Sequence, residues 1–122
     1  MRFFGLPVLV ASVSLGAAAP TAAFAHHTFT VKYDPSKTVR VSGVVSSVSY
    51  SNPHIIFTVG GWTVETESPA AATAKGLGKD VLKEGAKATV TGWPARDGSH
   101  QMGASSVSIS GGPSVTTRGS AR

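Results

Sequence analysis

The chain has 122 residues, with 11 Lys/Arg against 6 Asp/Glu, four His and no Cys, and its pI is near 10.0. Without cysteine it has no disulfide, thiolate metal site or cysteine nucleophile. The basic residues are scattered rather than gathered in a patch with interleaved aromatics, which sets nucleic-acid binding aside.

Met1-Arg2 is a minimal positive start, and Phe3 to Leu15 is mostly apolar but interrupted by Pro7, Ser12 and Ser14. A spanning helix needs about 20 apolar residues, so residues 1–25 read instead as a signal peptide. Small residues at Ala23 and Ala25 flank Phe24, the pattern signal peptidase accepts, and cleavage is expected after Ala25. The mature protein would then begin at His26, reside in the periplasm or be secreted, and carry no membrane span. Its single domain is expected over residues 26–110.

Phe29, Val31 and Tyr33 alternate with Thr30 and Lys32, the period of a half-buried strand over residues 28–33. Asp34-Pro35-Ser36 reads as a turn. Val39, Val41, Gly43 and Val45 share one face of a long strand, whereas Val44, Val48 and Tyr50 fall on the other. A bulge or bend is therefore expected, with Gly43 as its place. Ser51-Asn52-Pro53 breaks the pattern. Ile55, Phe57 and Val59 then face inward from the next strand, with His54, Ile56 and Thr58 opposite. Gly60-Gly61 turns the chain into Trp62, Val64 and Thr66, with Glu65 and Glu67 on the other face.

Ser68 and Pro69 open a short helix through residues 70–75, capped by Gly76. Leu77 to Gly85 reads as a partial turn that buries Leu82. Ala88, Val90 and Gly92 mark a strand closed by Pro94, Asp97-Gly98 a hairpin, and Ser105, Val107 and Ile109 the final strand. From Gly111 the chain reads as a disordered polar tail over residues 111–122. The order fits an all-β fold with one short helix, an OB-like barrel of five or six strands in which residues 28–33 add an edge strand. A β-sandwich is the alternative. Val41, Val45, Phe57, Val64, Val90 and Val107 are the expected core.

Several stretches together resemble a family of small exported bacterial proteins, the domain of unknown function 6152. They are His26-His27-Thr28-Phe29, Val41-Ser42-Gly43-Val44-Val45, Asn52-Pro53-His54, Trp62-Thr63-Val64-Glu65, Gly76 to Leu82, and Val90 through Gly98. The resemblance implies export, one small β-rich domain, and a shared His-His start with Asn-Pro-His. It implies no activity, and His100 and Met102 lie outside the shared pattern.

The histidines are the candidate metal ligands: His26, His27 and His54. An N-terminal histidine can chelate through its amine and ring Nδ1, and a tetragonal all-nitrogen set favours copper(II). His26 would supply two nitrogens and His54 or His27 the third; beyond nitrogen and oxygen, the thioether of Met102 is the remaining donor. Blander readings stand beside these. The His26-His27 pair can simply follow a cleavage site, His54 can be a turn residue, and His100 reads as an exposed loop residue. Trp62 and Trp93 read as core or rim aromatics, and Glu65 and Glu67 as a solvated sheet face. No catalytic constellation stands out. The expectation is an exported copper(II)- or other divalent-metal-binding protein, the alternative a non-metal ligand- or protein-binding module of the cell envelope.

Overall fold

The computed structural model describes residues 29–117. The strands are β1 (Val39–Ser49), β2 (Ile56–Val59), β3 (Trp62–Glu65), β4 (Lys87–Pro94), β5 (Gln101–Ile109) and β6 (Ser114–Thr116), with one helix, α1 (Pro69–Ala74), between β3 and β4. The sheet runs β3-β2-β1-β4-β5-β6, and a parallel pairing of β3 with β5 closes five strands into a barrel. β6 is the extra strand. The fold is therefore the expected OB-like barrel, and the sandwich alternative falls away because one sheet closes on itself.

Alternation explains why the barrel fills. Val45, Phe57, Val64, Val90 and Val107 are buried to within 1 % of full exclusion from solvent, and Val41 packs against them at the margin. Leu77 and Leu82, from the turns after α1, plug the same core. So does Met102, which makes its thioether a packing group. Ser68 caps α1, its Oγ accepting from the Ala71 N–H at 3.3 Å, and Pro69 takes the first turn.

Three expectations need correction. Residues 29–32 form a helical turn rather than a strand, closed by the Tyr33 N–H donating to the Phe29 carbonyl at 2.9 Å. Phe29 and Tyr33 are four apart, so one helical face presents both rings inward and leaves Val31 59 % exposed. Second, β1 changes face at Ser47 and not at Gly43. Ser47 has φ 51°, and the register with β2 shifts between Ser46 and Ser49, so Val48 and Tyr50 turn inward while Val44 stays exposed. Gly43 serves another need, since a Cβ there would sit 2.9 Å from the Gly60 backbone nitrogen. Third, residues 111–117 are part of the fold. Gly111 turns the chain into β6, which pairs with β5 and buries Val115 and Thr117. The Thr117 hydroxyl donates to the Ala104 carbonyl at 2.9 Å, and Lys75 pairs with Glu67 while donating to the Thr116 and Thr117 carbonyls. Residues 118–122 of the expected tail lie outside the described residues.

The helical turn at residues 29–32 is seated on one side of the barrel. Phe29 and Tyr33 rings lie 4.7 Å apart, and Phe29 meets Trp93 edge-on at 5.8 Å. Backbone bonds join Asp34 to Pro94 and Arg96 to Lys32, and the Arg96 Nε–H donates to the Thr30 carbonyl at 3.0 Å. Two Asx turns frame the segment. Hydrogen bonds from Ser36 hold the Asp34 carboxyl below its ordinary pKa, and those from Ser99 do the same for Asp97.

Candidate functional site around His54 and Glu65

Period-two geometry on β3 sends Val64 into the core and Glu65 to the outer face. Ile56 of β2 stands opposite Glu65. Pairing continues past β2 irregularly: the Ile55 N–H donates to the Glu67 carbonyl at 2.9 Å and the Thr66 N–H to the Ile55 carbonyl at 3.0 Å. Two residues thus oppose one, as in a β-bulge. His54, two residues before Ile56, is a diagonal neighbour of Glu65, within reach of two long side chains.

They meet. His54 Nδ1 lies 2.9 Å from Glu65 Oε2, and the Tyr33 hydroxyl donates to Glu65 Oε1 at 2.6 Å. The Lys32 ammonium stands 3.8 Å from the same Oε1. Glu65 keeps only 17 % of its side chain exposed, so its carboxylate is largely withdrawn from water and these donors replace the lost hydration. A proton held on Nδ1 by a carboxylate leaves the imidazole lone pair on Nε2, the nitrogen a metal would take. The His54 side chain is 28 % exposed. It borders a shallow cleft with Pro53, Glu67, Ser68 and Ala71, in which Glu67 Oε1 has no hydrogen-bond partner among the described residues.

Of the other sequence candidates, His26 and His27 lie outside the described residues. His100 stacks on Trp62, centroids 4.7 Å apart and planes within 10°, at the far end of β3 from Glu65. Trp93 belongs to the aromatic cluster under residues 29–33. Among the described residues no three His, Asp or Glu side chains gather as a metal-binding group. A wider depression over β1 and β4, lined by Ser42, Val44, Lys87 and Thr89, holds hydroxyls and one ammonium but no imidazole or carboxylate.

Sequence reasoning missed Glu65 and Tyr33. Alternation marked Glu65 as outward, which is right, but its partner Tyr33 is 32 residues away, and residues 28–33 read as a strand hid the approach. The signal that was available is Gly103. It pairs with Glu65 across the parallel closure, and a Cβ on it would lie 2.2 Å from Phe29 Cζ and 2.9 Å from Tyr33 Cδ2. The helical turn thus rests on a glycine beside Glu65.

A family model described as a family of unknown function, DUF6152, matches residues 14–105. The chain belongs to this family. Nothing matches among curated proteins or among solved structures.

Proposed function

We propose that this barrel is the exported form of a metal-binding protein, taking one copper(II) per chain through the amine and ring of His26 and the ring of His54. His27 is the alternative third nitrogen. The observation that carries the reading is the Glu65 carboxylate, which contacts both Tyr33 and His54. It ties the segment that follows His26-His27 to the only described histidine bonded to a carboxylate.

Reach supports it. Phe29 rests on Gly103, the strand neighbour of Glu65. His26 is three peptide units before Phe29, so their Cα atoms are at most about 11 Å apart. The donor chemistry agrees: an amine–imidazole chelate with a second imidazole is a nitrogen set that favours copper(II) over calcium or magnesium, which seek oxygen. The one hydroxyl lining the cleft with His54, that of Ser68, serves as the cap of α1, and the reading taken is copper carriage or sequestration.

Isothermal titration with copper(II) tests this on protein beginning at His26. One residue added before His26, which removes the free α-amine from the chelate, should weaken binding far more than His100→Ala does. His54→Ala should weaken it too while leaving the fold intact. Because the amine titrates near 7.7–8.0 and imidazole near 6.5, binding displaces protons and should weaken as pH falls through about 8 to 6.5. Equal affinity in all the variants would mean copper adheres to surface histidines, and the role would pass to a non-metal binding module.

A further inference from the structure

Side chains alternate between the inside and the outside of the barrel, and the register carries that sorting from one strand to the next. Arg40 of β1 stands beside Thr91 of β4, then Ser106 of β5 and Thr116 of β6. Two residues along, Ser42, Thr89, Ser108 and Ser114 line up in the same way. A third line sets Val44 beside Lys87, whose carbonyl accepts from the Ser110 N–H at 2.9 Å. The outer face of these four strands is therefore clothed in hydroxyls, with Arg40 on its first line and Lys87 on its third. Solvated surfaces ordinarily mix both signs of charge. Here the four strands contain no Asp or Glu, and their one aromatic, Trp93, packs against Phe29. An open depression of about 480 Å³ spans the second and third lines, and Val44, 53 % exposed, presents its isopropyl group there.

We propose that this face binds an acidic polysaccharide, a chain of sugars carrying carboxylate or sulfate groups. The proposal is independent of the metal-binding reading. Charge is the first argument: both ionic groups on the face are cations, and each can donate charge-assisted hydrogen bonds to an anion. Hydrogen-bond capacity is the second. Ser42 Oγ and Thr89 Oγ1 lie 2.8 Å apart, and that single bond leaves the pair both an O–H and lone pairs to offer. Sugar hydroxyls need the same two-way pairing, and Val44 gives the C–H side of a ring an apolar seat. Across the strands the hydroxyls repeat about every 4.8 Å, comparable with the rise of one sugar in an extended chain. Other partners fit less well. Protein interfaces are built on aromatics and Met and are poor in Ser. Single-stranded nucleic acid stacks on aromatics, and anionic membranes are held by clusters of bases. A second copy docked face to face would set cation against cation.

The test titrates the full chain, free of added metal, with oligogalacturonate, dextran sulfate and neutral dextran, reading Kd by calorimetry and the contact face by amide chemical shifts. At least one of the two anionic glycans is expected to bind saturably, more weakly as salt rises, while neutral dextran does not. Shifts should concentrate at Ser42, Thr89 and Ser108 rather than at His54 and Glu65. Lys87→Gln and Arg40→Gln, both at exposed positions, should each raise Kd about two- to fivefold. Lys79→Gln, which removes the same charge from the exposed loop after α1, should leave Kd unchanged. An equal loss in Lys79→Gln would mean attraction to net charge alone and would overturn the proposal. So would equal binding of neutral dextran, or wild-type shifts that map to another face, which need no variant to fold. Failure of both anionic glycans to bind overturns it too, and capture by anionic phospholipid vesicles in their place would assign the face to a membrane surface. None of these outcomes bears on copper.

Discussion

At the scale of single residues, alternation decided most of what was legible. Phe57 shows how far it reaches: it is fully buried, flanked by exposed Ile56 and half-buried Thr58. Truncating it leaves a cavity in the one core of a small barrel, and Phe57→Ala should cost about 3–5 kcal/mol. Domains of this size hold only about 5–15 kcal/mol in all, so the variant should melt far below wild type by calorimetry. Unchanged melting would mean that residues 54–59 are turned the other way. Such a flip would also put His54 inward, away from Glu65. What alternation did not carry is the meaning of an outward residue. Glu65 and Glu67 look alike in sequence, yet one carries Tyr33 and His54 while the other pairs with Lys75. That difference comes from which distant segments arrive beside each, and spacing along β3 holds no trace of it.

At the scale of elements, the helical turn at 29–32 is the informative case. Alternating Phe29, Val31 and Tyr33 satisfy a strand period, but Phe29 and Tyr33 alone satisfy a helical one, and the exposure of Val31 shows which applies. Tertiary packing settled it, because Gly103 leaves a flat place for two rings and Trp93 flanks it. Gly103→Ala would put a methyl 2.2 Å from Phe29 Cζ and should dislodge the turn while the barrel keeps its strands. Hydrogen exchange should report faster exchange at the amides of Tyr33, Asp34 and Arg96, with β1 and β4 protected as before. Gly92→Ala is the contrast, since its Cβ would sit 2.0 Å from the Gly103 backbone oxygen and must disturb the β4–β5 ladder itself. If both variants lose protection throughout, the turn and barrel are one cooperative unit. β6 eluded the pattern for a simpler reason: one buried Val115 among Gly, Ser and Thr is too little periodicity to mark a strand.

At the scale of the whole molecule, the order of strands and the helix between β3 and β4 were enough to indicate a small closed barrel. Of the His54–Glu65 contact, sequence marked His54 as the residue leading into β2, whereas its pairing with Glu65 and the approach of Tyr33 depend on how β2, β3 and β5 come together. The proposed function joins processing to fold: cleavage after Ala25 would free the His26 amine, and the barrel supplies His54. Native mass spectrometry of the exported protein, purified with and without added copper, tests that claim most directly. The result expected is a chain beginning at His26 that gains one copper per molecule and loses it on acidification below about pH 6.5. A chain beginning elsewhere, or one beginning at His26 that gains no copper, would contradict it.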